Sequence, residues 1–189
     1  MTPKAVLTPL STLRVSKHEI PASNFIPNTS IVHHPLMIYH SAFLQPLSFA
    51  IIESHLKSIS AVVPRWRYGM YTRNHFHSST HEVLCVAAGR ARIRFGGHEN
   101  EGRVDVLVEK GDVIIVPAGV SHCLLEDVGQ DDMFQMVGSY PPGCGWDMCY
   151  GQEDEQSKIE AIKDLPWFER DPVYGEQGPV LDKDARGAS

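Results

Sequence analysis

No apolar run in this chain approaches the roughly 20 residues of a transmembrane helix, so no membrane partner is expected. Basic residues nowhere gather into a stripe, and the net charge is −6. That balance argues against nucleic acid and anionic surfaces as partners, as does the lack of any helix-turn-helix pattern. The four cysteines (Cys85, Cys123, Cys144 and Cys149) contain no C-x2-C pair, and three sit in or beside apolar runs. They read as buried free thiols in a reducing compartment. Residues 1–9 lack the unbroken apolar core of a signal peptide, and a cytoplasmic location is the expectation. Without secretion, the acceptor pattern Asn28-Thr29-Ser30 carries no weight. There is no phosphate loop, no dinucleotide fingerprint and no Ser-His-Asp order.

What the chain does have is β texture and histidine. Its 189 residues suffice for one domain with a full core. Residues 1–64 read as an irregular arm with strand-like pieces at 12–15 and 36–39, then a helix over 46–63. In that helix Phe49, Ile52, Leu56 and Ile59 mark the apolar face, Pro46 occupies the first turn, and His55 and Lys57 face solvent. From about 65 to 140 the pattern is short strands broken by glycine turns, as in a closed sandwich or barrel. Ala91, Ile93 and Phe95 alternate with arginines; Val104, Val106 and Val108 alternate with Arg103, Asp105 and Leu107. Residues 113–116 and 133–137 add two further apolar runs. The extension 141–189 is rich in Pro and Gly and predicts one helix near 154–165, with Ile159, Ile162 and Leu165 inward.

Two segments carry the chemistry. Residues 69–89 read G-x5-H-x-H-x4-E-x6-G, giving Gly69, His75, His77, Glu82 and Gly89. Residues 111–122 read G-x5-P-x-G-x2-H, giving Gly111, Pro117, Gly119 and His122. On a strand the side-chain period of two aims His75 and His77 at one face. Glu82 and His122 come from neighbouring segments framed by turns. Three imidazoles and a carboxylate suit one divalent transition metal (Fe, Mn, Ni, Co or Zn), with positions left for a substrate. His81 also fits the spacing, but it points away from Glu82 on an extended strand; the fourth ligand is Glu82 or His81, and parity favours Glu82. His81 then becomes a hydrogen-bond partner of the site or a packed neighbour. The remaining histidines (His18, His33, His34, His40, His55 and His98) take ordinary structural roles.

The two segments resemble the two motifs of the cupins. Beyond them, residues 66–71, 77–84, 138–143 and 171–175 are similar to the YjlB-like branch of single-domain cupins, a likeness covering about 27–180. The resemblance implies an all-β, jelly-roll antiparallel barrel with a few peripheral helices, a metal inside it, and a homodimer. Glu126 departs from the pattern, standing where many cupins carry Asn; it and His81 are the candidates for a catalytic role. Unbroken strand parity would also bring Tyr71 and Arg73 to the metal face. Arg73 would then clamp a substrate carboxylate, unless it pairs with an acidic residue or a bulge turns it outward. Tyr71 would form pocket wall. Trp66 and residues 144–146 could line the mouth, though ordinary packing is the preferred reading for both. We read an enzyme on a small oxygenated or carboxylate metabolite, with oxidative chemistry (dioxygenase or decarboxylase type) preferred. A metal-dependent isomerase or epimerase and a non-catalytic metal-binding module are the alternatives, since the fold does not select a reaction.

Overall fold

Alternating apolar residues build nine strands among the described residues, which are 3–130 and 132–182 of a computed structural model. In chain order they are β1 (Arg14–His18), β2 (Leu36–His40), β3 (Val63–Tyr68), β4 (Glu82–Ala88), β5 (Arg90–Phe95), β6 (Val104–Glu109), β7 (Val113–Val116), β8 (His122–Asp127) and β9 (Gln135–Tyr140). Two helices, α1 (Phe49–Ile59) and α2 (Gln156–Ala161), lie outside the sheets. A six-stranded sheet runs β1-β2-β7-β4-β9-β3 and a three-stranded sheet runs β6-β5-β8. Every pairing is antiparallel. The architecture is the all-β, jelly-roll barrel expected from the sequence.

The large sheet is buried on both faces, which explains why β4 and β7 read as continuous apolar runs. Its inner face gives Leu36, Ile38, Leu84, Val86, Ile114, Val116 and Met136 to a core shared with Ala91, Ile93 and Phe95 of the small sheet. The outer face gives Met37, Tyr39, Val83, Cys85, Val113 and Ile115 to a second core under α1 and the C-terminal extension. A residue on β4 therefore faces the barrel or the extension according to its parity.

Several boundaries differ from the sequence reading. β1 and β2 precede residue 65 yet belong to the large sheet, because Met37, Ile38 and Tyr39 pair with β7. The barrel therefore draws on the N-terminal arm. Helix α1 starts after Ser48, whose hydroxyl caps the Ile51 N–H, and stops at Ser60, which adopts φ 62°. Pro46 therefore precedes the helix. Lys57 is exposed as expected, but His55 is half-buried, with Nε2 2.7 Å from the Val173 carbonyl. The helix expected at 154–165 is α2 flanked by two 3-10 turns, with Ile159 and Ile162 buried. The extension is tied down by Asp171, which is fully buried and accepts from the Tyr39 hydroxyl at 2.8 Å and the Val173 N–H at 2.9 Å. Cys85, Cys123 and Cys149 are buried free thiols; Cys144 is partly exposed.

Candidate metal centre

His75, Phe76 and His77 form an extended segment between two bends. His75 and His122 exchange both backbone hydrogen bonds (3.2 and 2.8 Å), which seats their rings 4.4 Å apart. Phe76 points the opposite way. It pairs with Cys149 through the backbone and packs with Ala118, Ile159 and Ile162. Burying Phe76 against the extension thus turns both histidines toward the barrel, as the period of two predicts.

The imidazoles of His75, His77 and His122 are all buried and each offers a ligand nitrogen, these atoms lying within 4.8 Å of one another. In each ring Nδ1 faces a backbone carbonyl: Arg73 for His75 (2.9 Å), Asp147 for His77, and Val120 for His122 (3.0 Å). A carbonyl accepts only, so Nδ1 carries the proton and the Nε2 lone pair is left for an ion. Such carbonyl partners orient imidazole ligands and fix their tautomer. The first residue of β4, Glu82, sets Oε2 3.5 Å from His77 Nε2 and 3.4 Å from His122 Nε2.

The donor set fits a divalent transition metal on a specific observation. Glu82 Oε2 is buried and has no hydrogen-bond donor, whereas Oε1 accepts from the Tyr140 hydroxyl at 2.6 Å. A lone acceptor in such a site is costly unless a cation meets it. Burial would raise the Glu82 pKa, but His77, His122 and Tyr140 bring it down to about 2. Burial drives His122 down to about 3 and also lowers His75. On His77 burial is outweighed by Glu82, and the pKa rises. The donors are thus an ionised carboxylate and, at His75 and His122, imidazoles held neutral, while Glu82 favours the charged form of His77, whose proton a metal ion would displace.

The sequence-predicted residues divide. His75, His77, Glu82 and His122 come together. His81 does not join them, because just before β4 it points the opposite way from Glu82, toward the extension. Its Nδ1 accepts from the Ala118 N–H at 2.9 Å, and its ring meets Trp167 edge-on at 4.8 Å. Burial among these rings lowers its pKa to about 4. Glu126 is also outside the site. A bulge in the β5–β8 pairing, where Arg92 faces Glu126 but Ile93 faces Leu124, turns Glu126 outward. There it sits 3.8 Å from Arg92, both side chains exposed. Tyr71 lines the pocket mouth at 55% exposure. Arg73 does not reach it. The chain bends at Thr72–Arg73, breaking the parity that would aim Arg73 at the metal face. The guanidinium instead lies 3.6 Å from the Tyr150 ring centre, over a separate polar cleft.

Three functional neighbours escaped the sequence reading. Tyr140 links Glu82 to Trp66, accepting from the indole N–H at 2.9 Å. Asp147 supplies the carbonyl for His77 and uses its carboxylate to hold Ser78 and Ser79 through both backbone and hydroxyl groups. Burial would raise its pKa, yet those donors pull it to about 2. Met148 joins the pocket wall. Each of the three lies over 50 residues from the histidine pair in sequence, with no spacing that ties it to the motif. The pocket above the donors measures about 310 Å³, and Trp66, Met70, Leu84, Tyr71 and Trp146 form much of its wall.

An antiparallel barrel with three histidines and a carboxylate at the floor of an interior pocket defines a metal-ready jelly roll. The family model described as Cupin matches residues 52–141. The chain is 31% identical over 150 residues to the uncharacterized protein YjlB of Bacillus subtilis (strain 168), covering 78% of this chain and 84% of that protein. It belongs to the cupin family, in the branch of that relative. Among solved structures it is similar to Bacillus halodurans BH2720 (15% identity, TM-score 0.35, 56% of this chain and 89% of that one). It is also similar to vicilin of hazelnut, Corylus avellana (18% identity, TM-score 0.35, 87% of this chain). A mutant of Bacillus subtilis oxalate decarboxylase OxdC is a third (17% identity, TM-score 0.35, 70% of this chain). The chain spans only 38% of the vicilin and 33% of the decarboxylase. At these TM-scores none of the three bears on function. Among the described residues, no helix is long and apolar enough to cross a membrane.

Proposed function

We propose that this cupin is a metal-dependent enzyme acting on a small oxygenated metabolite. The observation that carries the reading is the unpartnered Glu82 Oε2 among three buried imidazoles at the floor of an open pocket. A divalent transition ion bound there would polarise a substrate oxygen and, if redox-active, would give access to dioxygen chemistry. The chain's own part is to orient and to exclude water. Three backbone carbonyls fix the imidazoles, so little reorganisation accompanies binding. Tyr140 keeps its proton, since burial and the Glu82 charge raise its pKa, and it remains a donor to Oε1. Leu84, Met70 and Trp66 make the wall beside the donors apolar, which strengthens every electrostatic contact inside.

Elemental analysis of purified wild type, His77→Ala and His122→Ala tests the site. Removing one donor from so small a set should cut metal content by about ten-fold or more while the far-ultraviolet spectrum is kept. Full occupancy in either variant would show that the ion sits elsewhere. A metabolite screen of the loaded protein, with and without oxygen, then tests turnover.

A further inference from the structure

The pocket walls specify the ligand more narrowly than the floor does. Of the described side chains lining it, Arg67 alone is a permanent cation. Its guanidinium is already engaged, donating to both oxygens of Glu53 at 2.6 and 2.9 Å and lying 5.1 Å over the Phe49 ring. Arg73, the other candidate, is turned onto Tyr150. A ligand carboxylate not engaged at the floor would therefore find no counter-charge and would lose its hydration uncompensated. A cationic ligand fares no better. A divalent ion with one carboxylate leaves the floor with net positive charge, while the Arg67 charge is offset by Glu53.

The walls do offer aromatic faces and thioethers. Trp146 stacks on Tyr140 with ring centres 5.0 Å apart and planes 12° from parallel, yet Trp146 stays 47% exposed. Tyr71 and Tyr68 stand at the same mouth, each 55% exposed. Met70 and Met148 contribute sulfur, which favours contact with ring edges. Exposed aromatic surface concentrated at one opening marks the place where an apolar ligand is covered. At about 310 Å³ the pocket is at the low end of small-molecule sites, roughly 300–1,000 Å³, so it suits one ring with short substituents.

We infer that this pocket takes a single-ring, planar, uncharged ligand, aromatic or fully conjugated, whose polar groups are one or two hydroxyl or carbonyl oxygens directed at the floor. The inference rests on the metal-site reading above. Zinc-loaded protein is the material to test it, since zinc does no redox chemistry and binding is read without turnover. Calorimetry compares catechol, a neutral ring with hydroxyls, against malonate, an aliphatic dicarboxylate. Catechol should bind about ten-fold tighter than malonate, and Trp146→Ala should weaken catechol by about ten-fold while leaving malonate unmoved. Malonate binding as tightly as catechol overturns the inference. So does catechol affinity that neither Trp146→Ala nor Tyr71→Ala changes. Zinc content of the same samples separates the two readings. Protein that holds no zinc overturns the metal site and this inference together, whereas zinc-filled protein that prefers malonate overturns the ligand class alone.

Discussion

Glu82 brings two oxygens into the site, and their surroundings differ. Oε1 takes the Tyr140 hydroxyl and is held by it, while Oε2 faces His77 and His122 with no donor. One oxygen is thus anchored and the other left for an ion. The residue before it on the chain has the opposite surroundings: His81 packs against Trp167 and Phe168 and accepts the Ala118 N–H. Ala118 follows Pro117 in the second motif, so His81 braces the turn that delivers His122. The two substitutions should separate cleanly. Glu82→Gln should lose metal, because an amide is a far weaker ligand than a carboxylate, with the fold retained. His81→Ala should keep metal and lose about 1–3 kcal/mol of stability, through the cavity and the unpaired N–H. Metal analysis and denaturant melts on both proteins check this, and the reverse pattern would make His81 the ligand.

At the level of elements, the pairing of β3 with β9 places the wall of the pocket. The Trp66 indole lies across Gly138, where any Cβ would fall inside the ring system. That close approach lets the indole N–H reach Tyr140, which in turn reaches Glu82. Glycine at 138 is therefore tied to the candidate metal site through a ring and a phenol. Gly138→Ala should force Trp66 aside and cost about 1–3 kcal/mol as overpacking does. It should also weaken metal binding, by about ten-fold if the hydroxyl chain to Glu82 is lost. Urea melts with a metal titration read both effects. Unchanged metal affinity in a destabilised variant would show that the Trp66–Tyr140–Glu82 chain is packing alone.

For the whole molecule, the donors come from distant parts of the chain: the 75–77 segment, β4 and β8. An ion that binds only when they are assembled stabilises the fold by mass action. At a hundred-fold excess over its Kd the gain is about 2.7 kcal/mol. For a domain of this size that corresponds to a rise in Tm of roughly 5–10 °C. Calorimetric melts of stripped protein with zinc or manganese added should show this shift, and His122→Ala should abolish it. An equal shift in that variant would place the ion at another site.

Much of this was already legible in the chain. Glycine turns and period-two alternation determined the β class, because both act within a few residues. The same locality made His75, His77, Glu82 and His122 readable as one set, and parity along β4 separated Glu82 from His81. Parity failed where the backbone departs from a regular strand. A bend at Thr72–Arg73 carried Arg73 to Tyr150, and a bulge in β8 carried Glu126 to the surface. The recruitment of β1 and β2, and the contributions of Tyr140, Asp147 and Met148, were decided by tertiary structure alone. Each depends on contacts between residues far apart in the chain, such as the His77 to Asp147 hydrogen bond, and no local pattern encodes which distant segment will fill that space. The residues that can hold a metal were written in the sequence; the walls that select what reaches it exist only once the barrel closes.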